Sequence, residues 1–165
     1  MAGVSWLESA VTGESGHAPS TRARFGFAVA MGIFGVLLCY GRHLAMPAHP
    51  GDFGLSWFGA RSLLDGQNPY DLVGPGRPYP WPWPLVYPGT AFVAALPVAW
   101  LPEFPAILIF VFTSCALLGY ATTKTGWARV PLFGSAPFVI AAGSAQWSPL
   151  FTAAMTIPAL GFFFA

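Results

Sequence analysis

Charge is what this chain has least of. Of its 165 residues only 8% are charged, seven basic and six acidic, for a formal net charge of +1. Ordinary soluble domains carry about 25%, so a water-facing surface cannot be covered here. The near-zero balance also excludes a nucleic-acid partner, which requires a clustered basic footprint. Cysteine is scarce as well. Cys39 and Cys115 both fall inside apolar runs, where a thiol behaves as a small buried hydrophobe, so no disulfide framework is expected. No His, Asp and Glu are grouped at ligand spacing, so no metal and no cofactor are expected either. No apolar run carries a charge at its middle, which disfavours an ion or proton pathway and hence a transporter.

What is present is apolar. Hydrophobic residues make up 55% of the chain, aromatics 16%, and the mean hydropathy is +0.60. Trp and Tyr gather near the ends of the apolar runs, as at the two interfaces of a bilayer. The composition predicts an all-α membrane protein with about five transmembrane helices, multi-pass in the plasma (inner) membrane, with membrane lipid as its surroundings. Residues 1–23 are small and polar and read as a disordered tail, too polar to supply the apolar region of a secretory signal. Residues 24–41 form the first span, with Gly26, Gly32 and Gly35 offering small surfaces for close helix packing. Further spans are expected at 85–101, 104–121, 131–143 (short, hence tilted or partly buried) and 149–165. The sequence stops inside that last run, so 24–165 reads as an incomplete module. With the N-terminus inside and five crossings, Arg42, Arg61, Arg77, Lys124 and Arg129 all fall outside, against the positive-inside tendency.

Between the first two spans lies an outer loop, 42–84, which holds Asp52, Asp65 and Asp71 with Arg61 and Arg77. Ionisable groups at a membrane boundary are costly and point to function. Residues 52–65 have helical character, with Phe53, Trp57, Ala60 and Leu64 on one stripe, Asp52 at the N-cap position, and Gly66 and Pro69 as stop signals. The helix is too short to span and is expected at the membrane interface, its stripe against the bilayer or the bundle. NPYD and GPGRPYPWPWP follow, too rich in proline for helix or sheet, and read as an aromatic, polyproline-like strap.

Each candidate in this loop has two readings. Asp52 is a catalytic base or an ordinary cap. Arg61 binds a phosphate or pairs with Asp65 one turn on, and Trp57 stacks on it. Arg77, in a glycine- and proline-rich segment, is freer to reach a phosphate. Asn68, Tyr70 and Tyr87 suit sugar hydroxyls, although Asn68 before Pro69 is also a turn residue. Trp81 and Trp83 are a stacking platform or part of an interfacial belt, the belt being favoured.

The segment GDFGLSWFGARSLLDGQNPYD, followed by YPWPWPLVYPGTAFVAALPVAWLP and GSAQWSPLFTAAMTIPALGF, resembles the multi-spanning glycosyltransferases of the C-type superfamily. Within them it is similar to the bacterial alpha-mannosyltransferase-like family that uses polyprenyl-phosphate sugars. The resemblance covers roughly residues 25–165, its specific part being the first loop. It implies transfer of a hexose, mannose foremost, from a polyprenyl-phosphate donor to a lipid or glycan acceptor on the extracytoplasmic face. It implies too that Asp52 is the base toward the acceptor hydroxyl. That chemistry needs one carboxylate only. The leaving group is a phosphate already stable as an anion, unlike the leaving group in glycoside hydrolysis, which requires a second, protonated carboxyl. The alternative is a non-catalytic truncated membrane module that binds lipid or a partner protein.

Overall fold

The computed structural model describes residues 19–47 and 51–157, and most of the expected tail lies outside them. The chain is built around two long helices. Helix α1 is Thr21–Ala45, and its 25 residues extend about 37 Å at the standard rise. It begins three residues before the expected span because Ser20 caps it, its Oγ accepting from the Ala23 N–H at 3.2 Å. The other long helix, Glu103–Thr122, continues as a 3-10 turn to Thr125. Both are long and apolar enough to cross a membrane.

The two helices run antiparallel. At one end Arg24 Nη2 donates to the Tyr120 carbonyl at 2.9 Å, with the guanidinium over the Tyr120 ring. At the other, His43 stacks on Phe104 with ring centroids 4.0 Å apart. Between these ends the predicted close approach is made by Gly32 and Gly35. A Cβ on Gly35 would lie 2.5 Å from Cys115 Sγ, and one on Gly32 would lie 2.7 Å from the Phe112 ring. Gly26 has nothing within 4 Å and takes no part.

Between the long helices come α2 (Asp52–Leu64), α3 (Pro69–Leu72) and α4 (Gly89–Ala95), so the second long helix is α5. The expected span at 85–101 is not a continuous crossing helix. After the seven residues of α4 comes a 3-10 turn at Leu96–Val98, with Pro97 unable to donate to an α-helical ladder. Roughly 10–15 Å of helix cannot cross a hydrocarbon core of about 30 Å. Chain direction therefore reverses only once between α1 and α5, and Lys124 and Arg129 return to the end that carries Arg22 and Arg24. The expected run at 131–143 divides into a 3-10 turn, Val130–Gly134, and α6, Ala136–Gly143, which lies along α1. Helix α7, Ser148–Thr156, packs on α5; the remainder of the expected 149–165 span lies outside the described residues.

Helix α2 forms where the periodicity placed it, and of the two coverings expected for its stripe the bundle is the one found over Phe53 and Ala60. Phe53, Leu55, Ser56, Gly59, Ala60 and Ser62 are buried, because α2 wedges between α4 and α5. Phe53 stacks on Phe110 of α5 at 4.0 Å with ring planes 7° apart, and Trp147 closes on both rings. Gly59 sits directly over Phe92 of α4. Only the end of the expected stripe, Leu64, is 61% exposed. The strap also differs from expectation. Pro69 stands at the first turn of α3, where its missing N–H costs nothing, and Val73–Gly74 pairs in parallel with Tyr79–Pro80 as a two-residue bridge.

Candidate functional site

The start of α2 is fixed by backbone, not by a side-chain cap. Gly51 is the N-cap, at φ 94°, and no side chain caps the helix. The Asp52 N–H donates to the Ser144 carbonyl at 2.9 Å, and the Phe53 N–H to the Ala145 carbonyl at 3.1 Å. Two donors that every helix start leaves orphaned are thus satisfied by the break between α6 and α7, where Ala145 adopts φ 50°. Gly51 is required twice over. Its φ is one that side chains resist, and a Cβ there would fall 2.5 Å from the Ser144 oxygen.

Asp52 is therefore the first helical residue, and the expected capping role is replaced by one that leaves the carboxylate uncommitted. No hydrogen bond engages it among the described residues. It is half-buried, and desolvation holds its pKa above the ordinary carboxylate value, with Arg42 pulling the other way. Tyr87 is the other neighbour. Its phenol is pushed up to about 12, first by burial and then by the Asp52 charge. Helix α1 delivers Arg42 in its last turn, the segment before α4 delivers Tyr87, and α6 closes the site at Gly143, where an added Cβ would lie 3.7 Å from Arg42 Cδ.

The other predicted residues divide. Tyr70 reaches the site indirectly, its hydroxyl donating to the Tyr87 carbonyl at 2.8 Å. Trp57 and Arg61 are turned to structural work: Trp57 Nε1 donates to the Leu101 carbonyl and Arg61 Nη1 to the Ala99 carbonyl, each at 3.2 Å. Among the described residues Arg61 forms neither the expected ion pair with Asp65 nor the stack with Trp57. Asn68 caps α3, its Oδ1 accepting from the Tyr70 N–H at 3.2 Å and its Nδ2 donating to Asp71 at 2.8 Å. Arg77 donates to the Asp71 carbonyl at 2.9 Å and so braces the strap. None of these four is brought to Asp52.

Sequence reasoning missed Arg42, which it treated only as a charge in the orientation count. The signal available was its place at the end of a span, just ahead of an acidic loop. It also missed a cleft of about 270 Å³ at the same end of the molecule, lined by His43, Tyr79, Trp81, Glu103 and Phe104. Tyr79 donates its hydroxyl to Glu103 Oε1 at 2.7 Å. Burial, then the hydrogen bond and charge of Glu103, raise the phenol's pKa, keeping that proton in place. Among the described residues no group of three His, Cys, Asp or Glu is placed to hold a metal ion.

Fold and site together define a mostly helical protein with two helices long and apolar enough to cross a membrane and, at one end, a half-buried carboxylate with a guanidinium and a partly buried phenol near it. Comparison with protein-family models, with curated proteins and with solved structures found no match.

Proposed function

We propose that this chain is the first part of a multi-pass plasma-membrane glycosyltransferase. It moves a hexose, mannose on the resemblance of its loop, from a polyprenyl-phosphate donor to a lipid or glycan acceptor at the extracytoplasmic face, further spans completing the bundle. One observation carries the reading: Asp52 is anchored through its backbone and half-buried, and its carboxylate makes no hydrogen bond among the described residues. A carboxylate with its pKa raised toward working pH is suited to general base catalysis. The acceptor oxygen attacks the anomeric carbon as its proton passes to Asp52. The bond from that carbon to the phosphate oxygen breaks, and polyprenyl phosphate leaves with the electron pair. Arg42 is the cation beside Asp52, and it takes the place that Arg61 and Arg77 were expected to fill in offsetting charge on the leaving phosphate.

Orientation supports the reading. Arg22, Arg24, Lys124 and Arg129 occupy one end of the α1–α5 pair, whereas Asp52, Asp65, Asp71 and Glu103 share the other with Arg42, Arg61 and Arg77. With the basic end cytoplasmic, the positive-inside tendency is satisfied and the Asp52 site faces out. The test is sugar transfer by the full-length Asp52→Asn protein from a polyprenyl-phosphate-mannose donor. A loss of about 10²–10⁴-fold at normal expression is expected from a missing general base; transfer at the unaltered rate would refute the assignment.

A further inference from the structure

The cleft beside the Asp52 site has the chemistry of a carbohydrate seat. Its acceptor is the Glu103 carboxylate. Tyr79 occupies Oε1 and so fixes the direction of the group, leaving the remaining lone pairs for a ligand. A donor comes from His43. Its Nδ1 is buried and has no hydrogen-bond partner, and the same is not true of Nε2. A buried orphan N–H is a rarer and costlier feature than a buried lone pair, so the nitrogen that His43 can offer as a donor to a ligand is Nε2. Phe104 is already covered by the His43 ring at 4.0 Å, so the indole of Trp81 is the wall available for stacking. Among the described residues no Lys or Arg lines the cleft, so it offers no permanent cation for a phosphate or carboxylate. At about 270 Å³ it lies at the small end of ligand cavities, room for one ring.

An uncharged pyranose matches each of these features. Its hydroxyls donate to Glu103 and accept from His43, and its C–H face lies against Trp81. We infer that the cleft bounded by His43, Tyr79, Trp81 and Glu103 binds a single neutral pyranose ring, the acceptor-side sugar of the transfer. The inference rests on the transferase reading only for the word acceptor; the binding itself stands apart.

The experiment titrates the full chain, in polyoxyethylene micelles free of sugar and choline headgroups, with methyl α-D-mannopyranoside, read by saturation-transfer NMR. Saturable binding is expected, weakened at least about tenfold by Trp81→Ala and by Glu103→Gln. The amide of Glu103→Gln still accepts from Tyr79, and Trp81→Phe, which keeps an aromatic wall, should bind within about threefold of the parent. Circular dichroism melts confirm that each variant folds. Absence of glycoside binding, or binding unchanged in either of the first two variants, overturns the inference. So does tighter binding of choline than of the glycoside, abolished by Glu103→Gln, which would make the cleft a cation site. The Asp52→Asn protein separates the two proposals. Glycoside binding with no Asp52-dependent transfer sinks the transferase and keeps the seat, and Asp52-dependent transfer without glycoside binding does the reverse.

Discussion

Burial and Arg42 pull on the Asp52 carboxyl in opposite directions, and burial is the stronger, so the group is held above its ordinary pKa. A base works only when deprotonated. The acidic limb of the transfer rate should therefore lie above the ordinary aspartate range of about 3.9, with activity rising as pH increases through it. Removing the cation should raise the limb further, so Arg42→Gln should shift it to higher pH. A pH–rate profile of each protein checks both statements, and a limb at or below the ordinary value contradicts them. Linkage gives a second outcome at this residue. Because the folded state binds the proton more readily than the unfolded chain, wild-type stability relative to Asp52→Asn should be greatest at acid pH. It should fall as pH rises from about 3.9 through the raised folded value. Urea unfolding at about pH 4 and pH 7 measures it. That an Asp opens this helix was legible in the sequence. That Gly51, rather than Asp52, is the cap was not, because the reason lies in the Ser144 carbonyl, distant in sequence, against which only a glycine fits.

Among the elements, α2 was legible in position but not in surroundings. Its periodicity gave Asp52–Leu64 to within a residue, yet a stripe of Phe53, Trp57 and Ala60 is the same whether lipid or protein covers it. What decided was α4, whose Phe92 fills the space over Gly59. Arg61 was misread for a related reason. Asp65 is its neighbour by spacing, but the 3-10 turn after α4 offers the Ala99 carbonyl, to which it donates instead. Trp57→Phe removes the companion bond to Leu101 and should cost about 1 kcal/mol of unfolding free energy, while Arg61→Met should leave the KM for donor unchanged. A KM several-fold higher in Arg61→Met would restore it to the donor site. At the α1–α5 crossing, Gly35→Val should destabilise by about 1–3 kcal/mol through overpacking on Cys115 and Val111. Gly26→Val, facing open space, should show no such packing cost. Thermal unfolding of the pair distinguishes them.

For the whole molecule, the composition was enough to indicate long apolar helices, and two of them are present. The count of crossings was not legible at 85–101, because hydropathy registers an apolar run whether or not prolines break it into a seven-residue helix and a turn. That one segment had placed Lys124 and Arg129 at the end opposite Arg22 and Arg24. With it folded back, Arg22, Arg24, Lys124 and Arg129 share one end, and the acidic residues of the described chain gather at the other with Arg42, Arg61 and Arg77. Cysteines introduced at Gln67 and Thr125, both exposed, should be modified by an impermeant maleimide from opposite faces of a sealed membrane, the native Cys39 and Cys115 being buried. Labelling of both from one face would contradict the arrangement.

The hydrogen bond from Asp52 to Ser144 also has a meaning in time. It joins positions separated by more than half the chain, and a chain emerges from the ribosome N-terminus first. Helices α1 and α2 are complete long before their anchor exists. Until residues 144 and 145 have been made and α6 has docked along α1, the first N–H groups of α2 lack the carbonyls that pin the helix start beside Asp52. The site is therefore assembled late, by the arrival of a turn that contributes only its backbone. A nascent chain halted after α5 would carry Asp52, Arg42 and Tyr87 without the clamp that sets them relative to one another.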